Sequence, residues 1–132
     1  MGYEVIIPHW DNVRITRVVD GDTFEARAVK YAGFGATNMW DIMLRANRID
    51  CHKAASPAGM SATSFARTKL EGRIVVVDII DVYKYMPKRI DKEFAGAYMA
   101  EIHIDGHNYS DLAVTSGFAD YWDGKGKGYG VY

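Results

Sequence analysis

The feature that most constrains the fold is a succession of short runs in which apolar and polar residues alternate. Alternation of this kind predicts strands, because every second residue of a strand faces the same side of a sheet. The first half of the chain contains three such runs, marked by apolar residues at Val13 and Ile15, at Phe24, Ala26 and Ala28, and at Ile42, Leu44 and Ala46. Asp20-Gly21-Asp22 predicts a turn after the first run, and the segment from Gly33 to Asn38 predicts a glycine-rich loop after the second.

The second half adds a helix, two strands and a short helix. Ser56 and Pro57 predict a capped helix start, and Gly72 predicts its end. Further strands are expected over Arg73 to Val82 and Ala97 to Ile104, and Ser110 predicts the cap of a short helix through Ser116, ended by Gly117. We therefore expect a mainly β (α+β) fold: a five-stranded OB-fold-type barrel with one central helix and a short C-terminal helix.

Bulk properties limit the class of protein. The chain has 132 residues, which fits one domain over residues 1–122 followed by a flexible, Gly/Lys-rich tail over 123–132. Its formal net charge of −1 argues against nucleic-acid binding driven by overall charge, although a local basic groove remains compatible with it. The single cysteine excludes an internal disulfide. No apolar stretch approaches the length of a membrane helix and no signal peptide is visible, so we expect a cytoplasmic protein with no membrane partner, secretion being left open.

Three carboxylates predict a metal site. Asp20 and Asp22 flank one glycine at a turn, and Asp50 follows the third strand. Carboxylates brought to one barrel rim would supply the oxygen ligands that a hard cation such as calcium prefers. Turns favour Asp and Gly in any case, so the spacing on its own leaves a purely structural role open.

Arg45 is a candidate phosphate ligand. Alternation in the third strand places it on the face opposite Leu44 and Ala46, pointing outward. An outward arginine beside a cation can bind a phosphate with two hydrogen bonds. The alternative is a solvated arginine on the surface of the strand.

The order of the motifs resembles one known family. The run Val18 to Phe24, and the run Leu44 to Asp50 with its arginine, four residues and aspartate, are similar to signatures of the staphylococcal nuclease family. Further segments follow in that family's order: a helix containing Ala62 and Ala66, then Asp91-Lys92, then Met99 to Gly106 and Leu112 to Ala119. The resemblance covers roughly Val13 to Trp122.

The resemblance implies a calcium-dependent phosphodiesterase, an endonuclease or exonuclease acting on single-stranded or flexible DNA or RNA. It implies Asp22, Asp50 and the backbone carbonyl of Cys51 as direct calcium ligands, with Asp20 acting through water. It implies Arg45 as the group that binds the substrate phosphate and contributes to catalysis, and Thr23 as a support of the turn. Tyr121 and Trp122 follow the last helix, where the family places substrate-facing aromatic residues that can stack on bases.

Two departures bear on catalysis. The family has Pro-Glu after the third aspartate, whereas this chain has His52 and Lys53, and the family's second arginine is missing near Gly96 and Ala97. One hypothesis is a rewired site in which His52 acts as the base and Lys53 or Arg89 replaces the missing cation. The other is that hydrolysis is weak or lost, leaving a module that binds nucleic acid or a protein partner.

Overall fold

The structure, a computed structural model, describes residues 9–52, 55–83 and 92–123. Five strands close into a barrel in the order β3-β2-β1-β5-β6, with β6 returning to β3. These strands are β1 (His9–Asp20), β2 (Thr23–Gly33), β3 (Ala36–Ala46), β5 (Ile74–Val82) and β6 (Gly96–Ile104). All neighbours are antiparallel except β3 and β6, which run parallel. The predicted mainly β, OB-fold-type barrel is confirmed.

The remaining elements decorate this barrel. They are β4 (Ile49–Asp50), α1 (Pro57–Leu70), β7 (His107–Asn108), α2 (Tyr109–Thr115) and β8 (Asp120–Tyr121). Among the described strands, β4 and β8 pair with each other as a separate two-stranded sheet. The tail expected after Trp122 stays a prediction, because residues 124–132 lie outside the described part of the chain.

The core lies inside the barrel and beneath α1. The barrel strands supply most of the buried apolar residues, which include Val13, Ile15, Phe24, Ala26, Ile42, Leu44, Val75, Val77, Ala100 and Ile102. The helix adds its small residues Ala62 and Ala66, together with Leu70. Small residues allow the helix to approach the turn after β1 closely, which positions the candidate site.

Of the two predicted helix caps, one is confirmed and the other is wrong. The Ser56 hydroxyl accepts a hydrogen bond from the Gly59 amide at 3.0 Å, so the predicted start of α1 is confirmed. The prediction that Ser110 caps α2 is wrong, because the Asn108 side chain accepts from the Asp111 amide. Ser110 lies inside the helix, where its hydroxyl donates to the Asn47 carbonyl at 2.7 Å.

The predicted loop from Gly33 to Asn38 is also wrong. Strands β2 and β3 continue through most of it and are joined by a turn of Phe34 and Gly35 alone. Both turn residues have positive φ, 51° and 76°, as the favoured two-residue hairpin turns require. The glycines serve this tight turn, so Thr37 and Asn38 belong to β3.

Candidate functional site

The turn between β1 and β2 begins the site. Asp20 and Asp22 are 3% and 1% exposed, and the Asp22 amide donates to the Asp20 carboxylate at 3.1 Å. Gly21 between them is packed against α1: a Cβ there would lie 2.8 Å from Ala62 Cβ and 2.9 Å from Cys51 Sγ. Only a glycine lets the helix come this close, and this packing fixes where the two carboxylates lie.

The Asp22 carboxylate is held by neighbours from three segments. Thr23 donates its hydroxyl to Oδ1 at 3.0 Å, the Cys51 amide donates to Oδ2 at 2.8 Å, and Arg45 Nη1 lies 2.7 Å from Oδ1. The structure therefore brings together the turn, β3 and the residue after β4. Thr23 occupies the supporting position that the resemblance implies.

Arg45 lies between two of the predicted metal ligands. Its Nη2 lies 3.0 Å from Asp50 Oδ1 and donates to the Ile49 carbonyl at 3.1 Å, while Nη1 faces Asp22. The side chain is 1% exposed. The expectation of an outward or solvated arginine is wrong, although its face of β3 is the one predicted.

Aromatic rings explain this burial. The guanidinium lies 5.8 Å from the centre of the Tyr83 ring and 5.6 Å from that of Trp122. Within the described part of the chain, Arg45 Nε has no hydrogen-bond acceptor, and Nη1 faces Asp22 without a well-directed hydrogen bond. A buried arginine with unused donors has capacity left for an anion.

Opposing effects act on the pKa values of Asp22 and Arg45. Burial raises the pKa of Asp22 well above its ordinary value and the neighbouring Asp20 adds to this, whereas Arg45 and the Cys51 amide act in the opposite direction. Burial alone would lower the pKa of Arg45, but Asp22 and Asp50 outweigh it and the pKa is raised. Arg45 thus stays charged and is the group that stabilises ionised Asp22.

Cys51 contributes backbone rather than thiol chemistry. The side chain is buried, and burial, with Asp22 and Asp20 nearby, raises the pKa of its thiol. A thiol that resists ionisation is a poor nucleophile. Its amide already contacts Asp22, which places the backbone of Cys51 at the site where the resemblance implies a carbonyl ligand.

The donor set suits a hard cation in its chemistry, since it consists of carboxylates beside a backbone segment. Across residues 9–52, 55–83 and 92–123, however, no three His, Cys, Asp or Glu side chains are arranged to hold a metal ion. The Arg45 guanidinium lies between Asp22 and Asp50. A calcium ion bound by these carboxylates would require this guanidinium to shift.

His52 lies beside this cluster. It lines a cleft of about 200 Å³ with Asp50, Asp120 and residues of α1 and of the segment after α2. Asp120 is the partner of Asp50 in the β4–β8 ladder, and sequence reasoning missed it because 70 residues separate the two. Lys53, Arg89 and Asp91 lie outside the described residues, so their predicted roles stay predictions.

The two candidates for a base platform, Tyr121 and Trp122, differ in their surroundings. Tyr121 is 57% exposed and its hydroxyl donates to Asp111 at 2.8 Å. Trp122 is half-buried and packs on Arg45. Both rings lie against a guanidinium, that of Arg48 for Tyr121 and that of Arg45 for Trp122, and they differ in exposure.

No family model matches the chain, and no curated protein matches it. The staphylococcal nuclease family therefore remains a resemblance in the sequence motifs. None of the helices in the described segments is both long enough and apolar enough to cross a membrane.

Proposed function

We propose that this domain is a calcium- and phosphate-binding domain of the staphylococcal nuclease type that acts on or binds DNA or RNA phosphodiesters. The observation that carries the proposal is the meeting of Asp22 and Asp50 at the buried guanidinium of Arg45, with Asp20 hydrogen-bonded to the Asp22 amide, on an OB-fold-type barrel. An arginine enclosed by carboxylates in this way combines groups for both a cation and a phosphate.

In this proposal, Asp22, Asp50 and the Cys51 carbonyl hold calcium directly, and Asp20 holds it through water. When bound, calcium would neutralise the phosphodiester charge and polarise a phosphoryl oxygen. Because burial raises the pKa of Asp22, protons compete with the cation at this carboxylate. Calcium affinity is therefore expected to fall as pH falls.

Arg45 supplies the phosphate contact. Nε, which has no acceptor among the described residues, would donate to a phosphate together with Nη2, which lies on the same edge of the guanidinium and now faces Asp50. The guanidinium must leave Asp22 and Asp50 in part, and calcium binding would favour this because it takes over those carboxylates. Cation and phosphate binding are therefore expected to strengthen each other.

Catalysis divides the proposal into two cases. If the domain cuts nucleic acid, His52 is the candidate base, since it lines the cleft beside Asp50. The second candidate function is a non-hydrolysing module that binds nucleic acid or a protein. It is favoured by the enclosure of Arg45, which is 1% exposed, and by the absence of a glutamate at His52 and Lys53.

The test is incubation of the wild type with single-stranded DNA and RNA, in calcium and in chelator, with binding and cleavage both followed. Asp22→Asn keeps the size of the side chain but loses its charge and one of the two oxygens that accept from Thr23 and from the Cys51 amide, so it should lose calcium-dependent binding. Asp41→Asn is the matched control, because it changes a carboxylate of β3 that pairs with Arg27 instead. The proposal is contradicted if the wild type binds or cleaves nucleic acid equally in calcium and in chelator, or if the two variants lose calcium-dependent binding to the same extent. Cleavage that survives His52→Gln would exclude His52 as the base.

A further inference from the structure

One of the two aromatic rings on Arg45 belongs to a short segment after α2. This segment, Asp120 to Asp123, is here named the strap, and it contacts the site through Trp122. Trp122 of the strap packs on the Arg45 guanidinium, and the Trp122 amide donates to the Arg48 carbonyl at 2.8 Å. The strap thus links the end of the described chain to the segment between β3 and β4.

The strand of the strap belongs to a short ladder. This strand, β8, has two residues, and within the described segments it pairs with the two residues of β4, outside the barrel sheet. Tyr121 is 57% exposed, whereas Arg45 beneath the strap is 1% exposed. Segments with little buried surface and short ladders open at lower free energy than the core does.

A latch of charged groups holds the strap closed. The Tyr121 hydroxyl donates to Asp111 of α2 at 2.8 Å, and Arg48 Nη1 lies 2.9 Å from the same carboxylate oxygen. The Arg48 guanidinium also lies 5.8 Å from the centre of the Tyr121 ring and pairs with Glu101 of β6. The latch therefore joins the strap to α2 and β6 through one arginine.

We infer that the strap opens and closes over Arg45, and that an anion reaches the guanidinium only when the strap is open. The closed form keeps Arg45 paired with Asp22 and Asp50. Opening removes the Trp122 ring from one side of the guanidinium and leaves the barrel intact, because the barrel strands do not pair with β8. This inference rests on the proposed function, because the strap would govern access to the same site. The motion of the strap can nevertheless be measured without any ligand.

Tyr121→Phe is the variant that tests the strap. It keeps the ring over Arg48 and removes the hydroxyl bond to Asp111, at an exposed position where folding should be unaffected. Asp105→Asn is the matched control, because it removes an exposed ion pair with Arg73, outside the latch. The two readouts are hydrogen exchange of the Trp122 amide and the rate at which a dicarbonyl reagent modifies Arg45, with exposed Arg14 as the internal reference.

We expect Arg45 to react much more slowly than Arg14 in the wild type. Tyr121→Phe should raise the Arg45 rate and the Trp122 exchange rate severalfold and by the same factor, while exchange of the core amide of Val77 is unchanged. Asp105→Asn should alter neither rate. If both rates are unchanged in Tyr121→Phe, or if the Trp122 amide always exchanges at the same rate as the Val77 amide, the inference that the strap opens is wrong.

Titration with a nucleoside bisphosphate separates the strap from the proposed function. If both hold, Tyr121→Phe binds the bisphosphate more tightly than the wild type, because more of the molecule is in the open form. If the exchange and modification results hold but neither protein binds the bisphosphate, the strap stands and the proposed function fails. If the bisphosphate binds equally to both and the rates are unchanged, the proposed function stands and the strap fails.

Discussion

Replacing Arg45 with methionine measures how strongly the site depends on its buried charge. Arg45→Met keeps an unbranched chain between the rings but leaves Asp22 and Asp50, 1% and 3% exposed, without the guanidinium. Removing one partner of a buried ion pair costs about 3–5 kcal/mol. This is a large share of the roughly 5–15 kcal/mol by which a domain is usually stable. Urea unfolding followed by far-ultraviolet circular dichroism at neutral pH measures the loss.

The pH dependence of that loss has a definite sign. Arg45 lowers the pKa of Asp22, so without it the pKa, already raised by burial, rises further. A carboxyl whose pKa is raised in the folded state costs stability as pH rises above its unfolded value of about 3.9. The variant should therefore lose more stability at pH 7 than at about pH 4.

Arg48→Met is the matched control for this experiment. Arg48 lies three residues further along and is also paired with carboxylates, but its side chain is 41% exposed. Exposed pairs contribute about 1 kcal/mol or less. Equal losses in the two variants, or an Arg45→Met loss that does not change with pH, would refute the reasoning.

Three further perturbations have expected outcomes. Gly21→Ala should cost about 1–3 kcal/mol in thermal or urea unfolding, because its new Cβ would lie 2.8 Å from Ala62 Cβ; a stability equal to that of the wild type would show that the turn and α1 separate freely. Tyr109→Phe should cost about 1–3 kcal/mol, since the hydroxyl donates to the buried Gly21 carbonyl at 2.6 Å, and a neutral effect would contradict that bond. Hydrogen bonding to Arg48 and Tyr121 lowers the pKa of Asp111, so its contribution is present above the unfolded value of about 3.9 and is lost as pH falls below it. The protection factors of the strap amides against hydrogen exchange should fall over that acid range, and protection factors that stay constant would exclude Asp111 from the latch.

The barrel could be predicted because its signals are local. Alternation at Val13 and Ile15, and again at Ile42 and Leu44, identifies strands without knowledge of their partners. The start of α1 was equally local, since Ser56 caps an amide three residues away. The loop after β2 was mispredicted because glycines mark both long loops and two-residue turns, and only strand pairing distinguishes the two.

The sequence predicted which residues form the site, but it did not predict that Arg45 is buried there. Local motifs identified Asp20, Asp22, Arg45 and Asp50, which the structure brings together. They could not show that Arg45 is enclosed, because Tyr83 comes from a segment almost 40 residues away. The rings on Arg45 come from the end of β5 and from the residue after the β4–β8 ladder. No pattern within one segment predicts such contacts.

Calorimetric titration of calcium, with and without a nucleoside bisphosphate, is the decisive test of the proposed site. We predict that the wild type binds calcium, that the bisphosphate strengthens this binding, and that Asp22→Asn loses both effects while Asp41→Asn keeps them. If the bisphosphate strengthens calcium binding, calcium must strengthen bisphosphate binding by the same factor. No heat of calcium binding up to millimolar concentrations, in the presence or absence of the bisphosphate, would contradict the proposed calcium and phosphate site.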